Sequence, residues 1–520
     1  MTPAEPRRAA FFTLEDAKIS FSIICCICGI GTLAMPSNFA RAGPVYGTIA
    51  MLFMAFANIY ATVALSRVIL VAPPSVKTFS DVGEWVLGKP GRYAVSISQL
   101  LVCLLLPCAF LVLGSTLLDV LFPDSFSQIF WIVFMAITAI PACLIPTLKA
   151  AATVAFIGCM GTIIADVVGV SVLEWEMRGH PAAPSPDISL HQVLTAFGNL
   201  SLAYGVAVLI PDLQRQHSQP KRMPRVIVVS LGIGSVFFLA VAIAGYVAGG
   251  CQLSANLLFS IVNIADPSSP SALGFVPNHG AVVMAYLFMH LHVVIVLSTV
   301  LQPPFYMAER LILGMHKDPA EAAASIQQDK EDNDGWEELR DKLSSNVPVT
   351  SLTTGRVARD LESNDDSDNE TLSNSAKREQ EEKEHDEAQL SDYSGSTNVL
   401  RYVTLRLVIM ALLVAAAIGF RSHFLDLVDF TGASAITVCC LVLPLVFYLK
   451  VFWKDLPLYE RAVALVVIVV CTVVGCYVMI YAGKNLFNPD SDSATFPYCA
   501  AEYQSEPYYM RNSTSSSTSA

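Results

Sequence analysis

Stretches of about 20 apolar residues, the length that spans a bilayer core of about 30 Å as a helix, recur along most of the chain with short polar connections. Eleven such windows are present: Ile19–Ala40, Val45–Val71, Ala94–Val120, Ile129–Ile145, Ala151–Leu173, Val193–Ile210, Val226–Ala248, Ala281–Val300, Val403–Phe420, Thr431–Val451 and Ala462–Tyr481. A shorter amphipathic pattern puts Phe79, Val82, Val86 and Leu87 on one side of an interfacial helix, stopped by Gly88-Lys89-Pro90-Gly91. The expected class is an all-α membrane protein with eleven transmembrane helices.

Composition agrees: 54% of the 520 residues are hydrophobic and 15% charged, where a soluble domain has about 25% charged residues. The net charge of −12 comes from one insert, because residues 318–399 hold 22 acidic and 8 basic residues, leaving the remainder at +2. With two aromatics, Trp336 and Tyr393, that insert has too little apolar surface to fold alone. It is expected as a disordered acidic cytosolic loop, either a plain linker or a segment read by a kinase or regulatory partner. The divisions are then 1–317 (tail and helices 1–8), 318–399 (acidic loop), 400–484 (helices 9–11) and 485–520 (an extracytosolic tail). No clustered basic face suggests nucleic acid. No removable signal peptide is read at the N-terminus.

With the N-terminus cytosolic, the inner connections hold 19 Lys and Arg and the outer ones five, Arg41 among them. Asn512-Ser513-Thr514 then faces outward as a glycosylation acceptor, and Asn369-Glu370-Thr371 faces the cytosol. Eleven of the thirteen cysteines lie inside apolar spans; Cys251 and Cys499 both fall on the outer face, where a disulfide is conceivable. Cys and His spacings suggest no metal site.

Two spans carry breakers. The first contains Gly29-Ile30-Gly31-Thr32-Leu33-Ala34-Met35-Pro36; the sixth contains Phe197-Gly198-Asn199 and Ala203-Tyr204-Gly205, with Pro211 just after it. Glycines in one span commonly serve tight packing. Two broken spans five apart instead point to two inverted five-helix repeats with broken first and sixth helices, plus one extra helix. Freed amides at a half-helix start can hold a carboxylate and freed carbonyls a cation, which suits a zwitterion.

Ionisable groups at membrane depth are functional candidates. Asp166 lies mid-span in the fifth window, His290 and His292 in the eighth, and at most one of those histidines is expected to face the same cavity as Asp166. Asp119, Asp212, Glu309, Asp426 and Asp429 sit near span ends, where they could reach water. Ser298 and Thr299 could complete an oxygen cage for Na⁺ or only cap helix contacts.

The ordered set of motifs resembles the amino acid/auxin permease family of amino-acid transporters, with eleven spans and a leucine-transporter-type fold. Beside the first-span motif, it includes Thr78-Phe79-Ser80-Asp81-Val82-Gly83-Glu84 and Pro211-Asp212-Leu213-Gln214 with Met223-Pro224. Its last members are Phe430-Thr431-Gly432-Ala433 and Leu443-Pro444-Leu445-Val446-Phe447-Tyr448-Leu449-Lys450. The resemblance covers residues 13–481 outside the insert. It implies a substrate site at Gly29, Gly31, Thr32, Phe197, Ala203, Tyr204 and Gly205. For a coupling ion, it implies Ser298 or Thr299, to which Asp166 is added as a protonatable group. Some relatives place a charged or larger residue where Gly205 sits, so side-chain preference does not carry over.

The expectation is therefore a secondary active transporter that moves neutral amino acids by alternating access with H⁺ or Na⁺, and no other cofactor, in a plasma or vacuolar/lysosomal membrane. Rivals are an amino-acid-sensing transceptor with minor flux, and a channel or receptor-like membrane protein. An enzyme is excluded from the expectation, since no nucleophile, base and orienting group form a motif.

Overall fold

The computed structural model describes residues 11–73, 75–76, 78–145, 148–179, 186–315, 393, 395–487 and 498–499. Nearly all of the acidic loop, both glycosylation tripeptides and most of the Pro-rich connection after the fifth span lie outside the described residues. Met1–Phe305 with Arg406–Ala520 form one compact unit, and Tyr306–Leu405 a second. In the second, Tyr393 Oη donates to Glu309 Oε2 at 2.7 Å.

The first unit opens with α1 (Leu14–Ile27), begun by a reciprocal cap: Thr13 N donates to Asp16 Oδ2 at 2.8 Å and Asp16 N to Thr13 Oγ1 at 3.2 Å. Cys28 and Gly29 then interrupt the helix before α2 (Ile30–Val71). At 1.5 Å per residue, the 42 residues of α2 would be about 63 Å long, twice a bilayer core. α2 therefore holds two crossings, bent at Gly43 (φ 73°) and Pro44. A polar connection was expected at Arg41–Pro44. No loop forms, because glycine accepts the positive φ and the proline ring begins the next helical turn at once.

There follow α3 (Phe79–Leu87), α4 (Lys89–Leu121), α5 (Gln128–Cys143) and α6 (Leu148–Met177). α3 is the expected interfacial helix, capped by Thr78 and Asp81 and ended at Gly88, whose φ is 72°. Next come α7 (Leu190–Ala203), α8 (Ile210–Gln216), α9 (Met223–Gly249), α10 (Leu257–Ile261), α11 (His279–Val300) and α12 (Gln302–Ala308). The chain resumes with α13 (Ser396–Phe420) and α14 (Phe424–Thr431). A π-helical stretch, Gly432–Val442, then leads into α15 (Leu443–Phe452), and α16 (Leu458–Phe487) closes the series.

Among the described residues, nine helical stretches are long and apolar enough to cross a membrane. The count of eleven read from the windows requires two more: the 16-residue α5, and a first crossing made of α1 with the start of α2. In the apolar stretches of α4 and of α7–α8, 78% of residues are buried; in α13 and α16 the figures are 22% and 28%. The centre of the bundle therefore lies around the two breaks, and α13 and α16 turn most of their apolar surface outward, as lipid contact requires. Cys251 and Cys499 are joined by a disulfide, with a Cα–Cα separation of 5.1 Å.

Candidate functional site

The site is built where the interrupted helices meet. Gly29 adopts φ 87° and ψ −113°, a conformation open to glycine and hostile to residues with a Cβ. Its N–H donates to Thr32 Oγ1 at 2.9 Å, and the Thr32 hydroxyl turns back to the Gly29 carbonyl at 3.3 Å. Thr32 thus restarts the helix and is wholly buried. Across from it, α7 stops at Ala203, and residues 204–209 wind through a turn and one 3₁₀ turn before α8.

The two breaks touch. A Cβ built on Gly31 would lie 3.0 Å from Ala203 Cβ and 3.1 Å from its Cα, so a larger side chain at 31 must part the helices. Beside this contact is a cavity of about 20 Å³, bordered by Cys28, Gly31, Phe110, Ala203, Gly205 and Val300 among others, with no charged side chain among its lining. That volume suits about one water and is too small for an amino acid.

Of the predicted residues, Gly31, Ala203 and Gly205 border the cavity, and Gly29 and Thr32 form the turn behind it. Phe197 lies toward α16, with its Cε1 3.7 Å from where a Cβ on Gly475 would be. Tyr204 turns to α9, donating its hydroxyl to Ser235 Oγ at 2.8 Å, with its ring edge-on to Phe238 at 5.2 Å.

Behind the first break, His292 of α11 presses its Nε2 against Gly29, where a Cβ would collide with it. Its Nδ1 lies 2.9 Å from the Gly158 carbonyl. A carbonyl can only accept, so Nδ1 carries a hydrogen. Asp166 is wholly buried; Oδ2 accepts from Thr162 Oγ1 at 3.4 Å, and Oδ1 has no partner. Ser298 and Thr299 donate their hydroxyls to the Ile295 carbonyl of their own helix, at 2.7 and 3.2 Å. Oxygen lone pairs remain on both, but the described hydrogen bonds do not join them to the break.

Two closures were not legible in the sequence. Arg41 is not a loop residue and Asp429 does not reach water: Arg41 Nη1 meets Asp429 Oδ2 at 2.8 Å, with the residues 3% and 6% exposed. On the face that holds the N-terminus, Asp16 accepts from Arg222 Nη2 at 2.6 Å and lies 2.9 Å from His217 Nε2. Burial would raise the Asp16 pKa, but hydrogen bonds from Arg222, Thr13 and His217 hold its carboxyl well below the usual range. The partners in these pairs are 388 and 206 residues apart, a separation that periodicity cannot bridge.

A family model described as transmembrane amino acid transporter protein matches residues 17–487. The chain is 23% identical over 261 residues to amino acid transporter AVT1I of Arabidopsis thaliana, covering 47% of this chain and 62% of that protein. It is 26% identical over 257 residues to AVT1D of the same plant, covering 46% and 45%. The chain thus spans about half the length of the curated relatives it matches. A crystal structure of MhsT in complex with L-phenylalanine superposes with a TM-score of 0.50 at 11% identity, covering 89% of this chain and 98% of that one. At that identity the likeness shows the fold, the leucine-transporter-type arrangement that the family resemblance implies.

Proposed function

Because the chain belongs to the transmembrane amino acid transporter family, we propose that it carries a neutral amino acid across a membrane by alternating access, driven by a proton gradient. The observation that carries this reading is the contact of two interrupted helices, Gly31 on Ala203, beside a small uncharged cavity. Amides in the first turn of α2 carry partial positive charge and suit the substrate carboxylate; carbonyls at the end of α7 suit the ammonium group. The uncharged lining supports a neutral side chain.

The present cavity is too small for that substrate, and ion pairs close both ends of the bundle: Arg41–Asp429 on one, Asp16–Arg222 on the other. Both fit a closed stage between two open ones, in which substrate enters by parting one closure and leaves by parting the other. H⁺ is favoured over Na⁺ because protonatable groups, Asp166 and His292, adjoin the first break. The disulfide supports the side assignment, since Cys251–Cys499 needs an oxidising compartment and most of the Lys and Arg lie toward the opposite face. Eleven crossings, counting α5 and the α1–α2 pair, agree with that topology.

Replacing Gly31 by Val tests the site. Its side chain cannot share the space with Ala203, so uptake should be abolished in a variant that still reaches the membrane in normal amount. Uptake at the unmodified rate by that variant would remove the substrate from this break.

A further inference from the structure

The Arg41–Asp429 closure is not made by membrane helices alone. Tyr498, followed by Cys499, lies against it. Arg41 Nε donates to Tyr498 Oη at 3.0 Å, and the guanidinium carbon stands 5.3 Å from the centre of the Tyr498 ring. The arginine is thus held from two directions, by the Asp429 carboxylate and by a phenol that offers both an acceptor and a π face. Tyr498 is 5% exposed and Cys499 1%. The other carboxylate oxygen, Asp429 Oδ1, is buried with no partner, so Arg41 Nη1 is what ties this carboxylate into the closure.

The strap is pinned at both edges. Tyr498 N donates to the Cys251 carbonyl at 3.1 Å, Asp187 N donates to the Tyr498 carbonyl at 3.2 Å, and Pro186 and Cys499 form an antiparallel bridge. The Cys251–Cys499 disulfide fixes the segment to the end of α9. Underneath, the connection that pairs with the strap rests on the bend of α2: a Cβ on Gly43 would come within 2.8 Å of Ile188 Cδ1 and 3.8 Å of Pro186 Cγ. The strap, its pairing partner and Arg41 therefore meet within two residues of the point where α2 changes direction.

We propose that Tyr498 is a positioning residue for the closure on the face opposite the N-terminus. Tethered through Cys499, it holds Arg41 on Asp429, and the closure opens only when Arg41 leaves the phenol as well as the carboxylate. The proposal rests on the alternating-access reading for its place in a transport cycle, but the latch itself is a property of accessibility and can be measured without any substrate.

Ser37 supplies the reporter. It lies one turn before Arg41 on the same side of α2 and is wholly buried. A Ser37→Cys variant of the full chain, with the exposed Cys476 changed to Ser, is treated in membranes with an impermeant maleimide from the face opposite the N-terminus. Labelling at residue 37 is then timed by mass spectrometry. Adding Tyr498→Ala, which removes both the acceptor and the ring, should speed labelling by about tenfold, the scale of one lost charge-assisted hydrogen bond. Tyr498→Phe keeps the ring and should give a smaller increase; Cys499→Ser frees the tether and should also give an increase. Should the alanine variant fail to reach the membrane, the phenylalanine and serine variants decide the matter. Labelling unchanged in the variants that reach the membrane would overturn the latch. Faster labelling in a chain that accumulates no amino acid would keep the latch and sink the transport reading; uptake with unchanged labelling would do the reverse.

Discussion

Three residues behind the first break divide the labour there. Gly29 supplies a backbone conformation that stops α1, Thr32 satisfies the amide set free, and His292 fills the space a side chain at 29 would need. Asp166 then sits beside Thr32 with one oxygen unpartnered. On the proposed reading, a proton taken up there is the coupling event that biases the neighbouring break. Asp166→Asn keeps the size and removes the titration. Accumulation of substrate under an inward proton gradient should fall to the level seen without a gradient, while exchange of labelled for unlabelled substrate persists. Gradient-driven accumulation equal to that of the parent would clear Asp166 of coupling. The glycines and Thr32 stood out in the sequence because their effects are local. The role of His292 did not, since the pressing of Nε2 on Gly29 depends on how α11 packs.

Among the elements, those governed by neighbours in sequence were read correctly, and those governed by distant contacts were not. α3 shows the first case: Thr78, Asp81 and Gly88 are a cap and a stop whatever surrounds them. The bend in α2 shows the second, where Arg41, Gly43 and Pro44 have the composition of a loop yet continue as helix, with Arg41 drawn inward by Asp429. The π-helical stretch Gly432–Val442 is likewise invisible to a 3.6-residue period; in it Thr437 bonds the Gly432 carbonyl five residues back at 2.7 Å and Ser201 of α7 at 2.9 Å. At the other end of α1, the Asp16 carboxyl is held below its ordinary value near 4. A lowered value means that its contribution to the closure is complete above about pH 4 and fades as pH falls further. Between pH 5 and 8 the Asp16 carboxylate therefore stays ionised. Uptake by Asp16→Asn should be slower than the parent's but keep the same pH profile across that range. A flattened profile would move the coupling proton from Asp166 to α1.

At the scale of the whole molecule, two breaks five spans apart were enough to anticipate the inverted repeats, because the membrane forbids unsatisfied backbone except beside a cavity or a packed partner. The closures at the two ends could not be anticipated, since each joins residues hundreds of positions apart. Nor did the chain announce that Tyr498 meets Arg41; two lone outer cysteines were the sole hint. Together the parts describe a bundle with a buried ion pair toward either end and a cavity with space for about one water, which the proposed function requires to open alternately. The most direct test is uptake of a panel of labelled neutral amino acids by the full chain in proteoliposomes, with inward H⁺ and Na⁺ gradients imposed in turn. The account predicts accumulation of at least one of them above its external concentration under the H⁺ gradient, collapsing when a protonophore is added. Accumulation under Na⁺ alone would contradict the coupling, and no accumulation under either gradient by well-inserted protein would contradict the account as a whole.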